Sequence, residues 1–152
     1  MSNSETSATF HARHAIEYTY RRSVGPVLGH FFTALRERKI VGIRSGGGRV
    51  LVPPSEHDPD TGEALEEFVP VGPSGVVTTW AWVTTPSAKH PLDRPFAWAL
   101  IRIDGADTAM LHAVDAASES AMSTGMRVRP RWRQETVGEI GDIECFEAEG
   151  GQ

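Results

Sequence analysis

Two tight-turn sequences place the strongest constraint on this chain. Ser45-Gly46-Gly47-Gly48 and His57-Asp58-Pro59-Asp60-Thr61-Gly62 bracket the extended segment Arg49-Val50-Leu51-Val52-Pro53-Pro54. Glycine supplies positive φ, and Asp and Thr side chains bond the backbone two residues on, so both stretches read as β-turn knuckles. Two knuckles joined by extended chain are the layout of a small zinc ribbon, where each turn offers a Cys-x-x-Cys pair to a tetrahedral ion. The positions for those pairs hold Arg44 and Gly47, then Asp58 and Thr61. No thiolate is among them, so a structural zinc of that kind has no ligands, and a ribbon over residues 42–68 must keep its shape by packing. His57, Asp58 and Asp60 could form a hard-metal site, but the chemistry of an Asp-Pro-Asp-Thr-Gly turn accounts for the carboxylates without one. No metal site is expected.

A length of 152 residues suits one domain with a small appendage. The single cysteine, Cys145, excludes an intramolecular disulfide and suits a reducing cytoplasm. No apolar run approaches the roughly 20 residues of a membrane span. The Ser/Thr/Asn-rich residues 1–15 lack the basic start and apolar core of a secretory signal and read as a disordered leader. A net charge of −5 argues against general nucleic-acid binding, since phosphate contacts need a basic surface.

Residues 16–41 read as an arm and a helix. Ile16 to Tyr20 alternates as an edge strand or an arm on a partner. Pro26 then sits where its missing N–H costs nothing, and Leu28, Phe31, Phe32 and Leu35 follow at i, i+3, i+4 and i+7. That stripe either packs on the chain's own core or is shared with another subunit. Glu63 to Pro73 reads as an acidic connector. From residue 69 to 149 the chain alternates as a β-barrel. The predicted strands are 75–83, 96–103, 108–114, 126–133 and 143–147, with a tight turn at Asp104–Asp107, a proline-rich loop at 85–95 and a helix at 115–124.

The Phe-x-x-x-Leu helix (Phe31 to Leu35), Gly48-Arg49-Val50, Pro53-Pro54 and the strand opening Gly125-Met126-Arg127-Val128 resemble the acyl-CoA-associated proteins built from an N-terminal helix, a rubredoxin-like zinc ribbon and an OB-fold barrel. The resemblance covers roughly residues 20–148. It implies a mainly β protein: an OB-fold barrel preceded by a helix and a degenerate, zinc-free ribbon. Members that lost the cysteines but kept Val-Pro-Pro and an Asp-Pro-x-Thr-Gly turn look like partner subunits of thiolase-fold proteins, including aldolases that cleave steroid side-chain acyl-CoA esters. The resemblance therefore implies a non-catalytic, cytoplasmic subunit of a hetero-oligomer, with acyl-CoA as a possible bound substrate. A free-standing acyl-CoA or acyl-chain binding module is the alternative.

Three groups of residues could serve such a role. Arg127, Arg129, Arg131 and Arg133 fall on one strand face at about 6.6 Å spacing, fit to grip coenzyme A phosphates or an acidic partner. They could equally form a solvated face neutralised by Glu135, Glu139, Glu144 and Glu147. Trp80, Trp82, Phe96 and Trp98 would form a cross-strand cluster, buried in the barrel or turned in part to a partner. The partner-facing candidates are thus Phe31, Phe32, Leu35, Trp80, Trp82 and Trp98. No catalytic constellation is visible: His112 reads as a barrel residue and Cys145 as a small buried hydrophobe.

Overall fold

In the computed structural model the described residues are 12–19 and 21–150. The leader falls mostly outside them, as does Tyr20. Residues 12–19 form no strand, and Tyr18 is 80% exposed.

Helix α1 spans Gly25–Arg36 with Pro26 in its first turn. Its buried face is Val27, Phe31, Ala34 and Leu35, the i, i+4, i+7, i+8 stripe of a helix packed on one side. The expected stripe was centred further round, toward Leu28 and Phe32, both only half-buried. Val27 packs in a small core with Ile43, Leu51 and Leu65, whereas Phe31 and Leu35 enter the main core with Val77, Ile101 and Phe146. One helix therefore joins two bodies. Phe31 is 1% and Leu35 0% exposed, so the structure corrects their placement on a partner surface: the chain's own barrel covers them.

The ribbon is a three-stranded antiparallel sheet of β1 (Ile40–Arg44), β2 (Val50–Leu51) and β3 (Phe68–Val71) in the order β2-β1-β3. It reaches past the 42–68 boundary at both ends, because β1 starts straight after the helix and the supposed connector supplies β3. The first knuckle closes through Gly48 N–H donating to the Ser45 carbonyl at 2.9 Å. In the second, Asp58 Oδ1 accepts the Asp60 N–H at 2.8 Å and the Thr61 N–H at 3.3 Å. Its other oxygen, Oδ2, reaches across to the Gly46 N–H of the first knuckle at 2.8 Å. A single carboxylate, 3% exposed, thus ties together the two turns that four thiolates and an ion hold in a metal-bound ribbon. Among the described residues no group of three or more His, Cys, Asp and Glu is placed to hold a metal ion.

The barrel comprises β4 (Gly75–Val83), β5 (Phe96–Ile103), β6 (Met110–Asp115), β7 (Arg127–Trp132) and β8 (Ile143–Ala148), closed in the order β4-β5-β6-β8-β7. The neighbours are antiparallel except β6 and β8, which run parallel and pair only at Val114–Phe146 and Asp115–Glu147. Closure falls at Gly75, which pairs with both Ile103 and Val128. A Cβ there would lie 2.7 Å from the Arg102 carbonyl, so only glycine lets the strands meet. The helix expected at 115–124 is reduced to one 3-10 turn, Glu119–Ala121. It has no buried residue, and without an apolar face it lacks the packing that stabilises a short helix.

Ribbon and barrel are bolted together at the β5–β6 turn. Val50 N–H donates to Asp107 Oδ2 at 2.8 Å, and Val52 N–H donates to Thr108 Oγ1 at 2.8 Å. Asp58→Ala should leave the Gly46, Asp60 and Thr61 donors without their acceptor, lowering the melting temperature by roughly 10 °C. The check is thermal denaturation of the variant beside the parent, each with and without a zinc chelator, which should move neither.

Candidate functional site

Strand register decides what each candidate side chain can reach. Trp80 pairs with Ala99 and Trp82 with Ala97, two alanines buried in the main core, so both indoles turn toward the barrel interior and are half-buried there. Trp98 pairs with Ala81 and lies on the outer face beside Phe96, its ring 5.3 Å from the phenyl ring in an edge contact. The expected single cluster is therefore two groups on opposite faces. Of the three tryptophans offered to a partner, Trp98 alone stands on the barrel's exterior. Phe32 is half-buried against the main core.

The arginine ladder also faces outward, and carboxylates of the same chain occupy it. Arg127 grips Asp104 with two bonds of 2.7 and 2.6 Å and reaches Glu149 at 3.1 Å. Arg129 meets Glu147 at 3.1 Å. Arg131 bonds Glu144 at 2.7 Å, Asp115 at 3.0 Å and Glu147 at 3.1 Å, and Asp115 is held from its other side by Arg94. Glu144 and Glu147 were anticipated as partners. Asp104, Asp115 and Glu149 were not, because only the closed barrel brings the β5–β6 turn and the end of β6 beside β7. The fourth rung, Arg133, lies beyond the strand and has no ion-pair partner among the described residues.

Neither nucleophile-like group is poised for chemistry. Cys145 is fully buried, and burial pushes its thiol up to about 11. The His112 imidazole, 6% exposed, packs edge-on against Phe146 with centroids 5.3 Å apart. Its Nδ1 accepts the Ala113 N–H at 2.9 Å, and burial holds its pKa below the ordinary 6.5.

Beside His112 the surface opens. The parallel β6–β8 pairing stops after two residues, and the splayed strands leave a groove of about 310 Å³ lined by Trp98, Leu111, Ile140 and Ile143, with Lys89, Arg133 and Glu144 as its charged residues. The 3-10 turn Ile140–Asp142 forms one wall, held by Asp142, whose carboxylate accepts the N–H groups of Val137, Gly138 and Glu139 at 2.9, 2.7 and 3.2 Å. The sequence does not show the groove, because its walls come from five segments that only the topology assembles.

Residues 68–133 match the family model described as ChsH2, C-terminal OB-fold domain. The closed five-stranded barrel agrees with that assignment of fold. No curated protein matches the chain. Among solved structures, a DUF35-family protein of unknown function from Sulfolobus solfataricus is 22% identical, covering 70% of this chain and 77% of its own, with a TM-score of 0.58. A chain of the Ltp2–ChsH2(DUF35) aldolase is 18% identical, covering 84% of this chain and 98% of its own, with a TM-score of 0.61. At these identities the likeness establishes the fold. Among the described residues no helix is long and apolar enough to cross a membrane.

Two expectations follow. The Arg127 guanidinium holds Asp104 below the ordinary carboxylate value of 3.8, and backbone N–H groups do the same for Asp58. Burial opposes ionisation of Asp115 and Asp142, but the arginines around the first and the N–H groups around the second outweigh it. All four pKa values are lower folded than unfolded, so their stabilisation is complete above about pH 4 and is lost as pH falls further. His112, also depressed, begins to withdraw stability earlier, below about pH 6.5. Urea midpoints between pH 8 and pH 3 should fall in two stages, and His112→Gln should abolish the first. Arg131→Gln should cost about 1–2 kcal/mol, because it leaves half-buried Glu144 without its ion-pair partner and takes one of two from Asp115 and from Glu147, against about 0.5 kcal/mol or less for exposed Arg129→Gln; chemical denaturation measures both.

Proposed function

We propose that this chain is the non-catalytic subunit of a complex with a thiolase-fold aldolase or thiolase acting on acyl-CoA. The observation that carries this reading is the likeness to the Ltp2–ChsH2(DUF35) aldolase: nearly the whole of that chain, 98%, finds a counterpart here. The chemistry of the residues supports it. Cys145 is buried, the His112 Nδ1 is committed to a backbone donor, and the Ser87 hydroxyl, 3.3 Å from His90 Nδ1, faces a nitrogen that already accepts a backbone N–H. His90 accepts the Ser87 N–H through Nδ1 in an exposed loop.

The reaction proposed is retro-aldol cleavage of a β-hydroxyacyl-CoA, of which a steroid side chain is one substrate. The bond between the α and β carbons breaks, the β-hydroxyl gives up its proton to become a carbonyl, and the α carbon takes a proton. The partner supplies the groups that move those protons. This chain stabilises the partner and borders the acyl-CoA site, working in the cytoplasm.

Co-expression with a thiolase-fold protein encoded in neighbouring genes, followed by size-exclusion chromatography with light scattering, tests the proposal. A stable heteromer that cleaves a β-hydroxyacyl-CoA, with neither chain active alone, is the expected result. A monodisperse monomer that ignores that protein overturns it, and direct binding of an acyl-CoA by the isolated chain would then indicate a free-standing binding module.

A further inference from the structure

The barrel exterior divides into two unlike regions. On the β7–β8 side, every ladder arginine within the strand is neutralised by the chain itself. On the β5–β6 side the surface is apolar. Leu100 and Leu111 pair directly across the strands and are 38% and 58% exposed, and Ile140 on the neighbouring loop is 43% exposed. Trp98 stands on the same face as Leu100, two residues along β5, and the groove opens between Trp98, Leu111 and Ile140. Contiguous apolar side chains with a polar rim mark an interaction surface rather than scattered exposure.

The distribution of charge sharpens this. Of the barrel's cations, Arg94, Arg127, Arg129 and Arg131 all have carboxylate partners. Lys89, Arg102 and Arg133 have none among the described residues. All three border the apolar strip: Lys89 and Arg133 line the groove, where the one carboxylate, Glu144, is already bonded to Arg131, and Arg102 follows Leu100 on the same face of β5. Asp142, which lines a depression together with Arg133, has its carboxylate occupied by three backbone N–H groups. Asp104, which acts on Arg102, is gripped by Arg127.

The geometry points to this strip as the docking face for the partner subunit, and to a partner surface that offers large apolar side chains flanked by carboxylates. The inference rests on the subunit function proposed above. A purely apolar partner would strip water from three cations without compensation, a cost that disfavours it. A small acyl ligand in the groove would leave Leu100, which lies outside its lining, still in water. An apolar surface with an acidic rim satisfies both groups at once and speeds encounter by attraction.

The test uses the full chain and the thiolase-fold protein, with binding rates measured by surface plasmon resonance. Leu111→Asp should weaken the complex roughly 30-fold or more, as expected for a central apolar contact. The pair Lys89→Glu with Arg133→Glu should slow association about tenfold at low salt and much less at high salt. Glu63→Arg, on the exposed ribbon, should change neither rate by more than about twofold. These side chains are exposed, so unchanged circular dichroism and melting temperature will show that the variants fold. A parent complex that forms and is indifferent to the strip variants would place the docking face elsewhere and overturn this inference while leaving the subunit function standing. A parent chain that binds no thiolase-fold protein would overturn both. Loss of binding in Leu111→Asp with no effect of the double charge reversal would overturn the acidic rim.

Discussion

The carboxylate of Asp58 is the interaction on which the arrangement of this protein turns. A ribbon this small has little core of its own, a cluster of Val27, Ile43, Leu51 and Leu65, and two turns held only by their own hydrogen bonds would be free to separate. Asp58 bonds both knuckles at once, accepting N–H groups from Gly46, Asp60 and Thr61. That fixes the loop between them, and with it β2. The N–H groups of Val50 and Val52 can then reach Asp107 and Thr108 at the tip of the β5–β6 hairpin. Helix α1 crosses both bodies, anchored in the ribbon by Val27 and in the barrel by Phe31 and Leu35. The chain of contacts thus runs from one carboxylate through a short strand to the hairpin that presents the apolar strip.

Alternation along single strands was a sound guide, and pairing between strands was where it ran out. The β5–β6 hairpin with its Asp104–Asp107 turn, the outward row of arginines and the helix start at Pro26 were all legible, because each depends on residues close in sequence. The two tryptophan groups were not. A one-residue change of register exchanges the faces of a strand, and nothing in Trp80-Ala81-Trp82 or Phe96-Ala97-Trp98 says which residues will stand opposite. The helix face was likewise shifted by one position, since Val27 gains its burial from Leu51 and Leu65 on a ribbon whose orientation the helix sequence does not encode. The missed strand β3 has a similar cause: Phe68–Val71 contains a proline and little alternation, and it pairs only because β1 offers it an edge.

The ladder shows how topology assigns the role of a charge. Four arginines in a row look like an anion site when read along β7. Once β8 runs beside them and the β5–β6 turn folds beneath, three become halves of ion pairs, and their attraction for an outside anion is reduced by carboxylates already within 3.2 Å. The composition of the strand is unchanged; its partners differ. Asp58 follows the same logic in the ribbon, where a potential metal ligand is instead an acceptor for the chain's own backbone.

An OB-fold barrel must include one parallel pair, β6 with β8, and a parallel pair that binds at only two positions leaves the rest of both strands diverging. Something has to fill or border that seam. On the inside it is His112, kept neutral by burial and set edge-on against Phe146. On the outside the seam meets Leu111, Ile140 and Trp98, with Lys89 and Arg133 above them, and no segment among the described residues covers it. The same closure that satisfies the charges of β7 therefore leaves apolar surface and cations together on the opposite flank, because β8 can neutralise the arginines on one side or seal the groove on the other. Its hydrogen bonds to β7 commit it to the first.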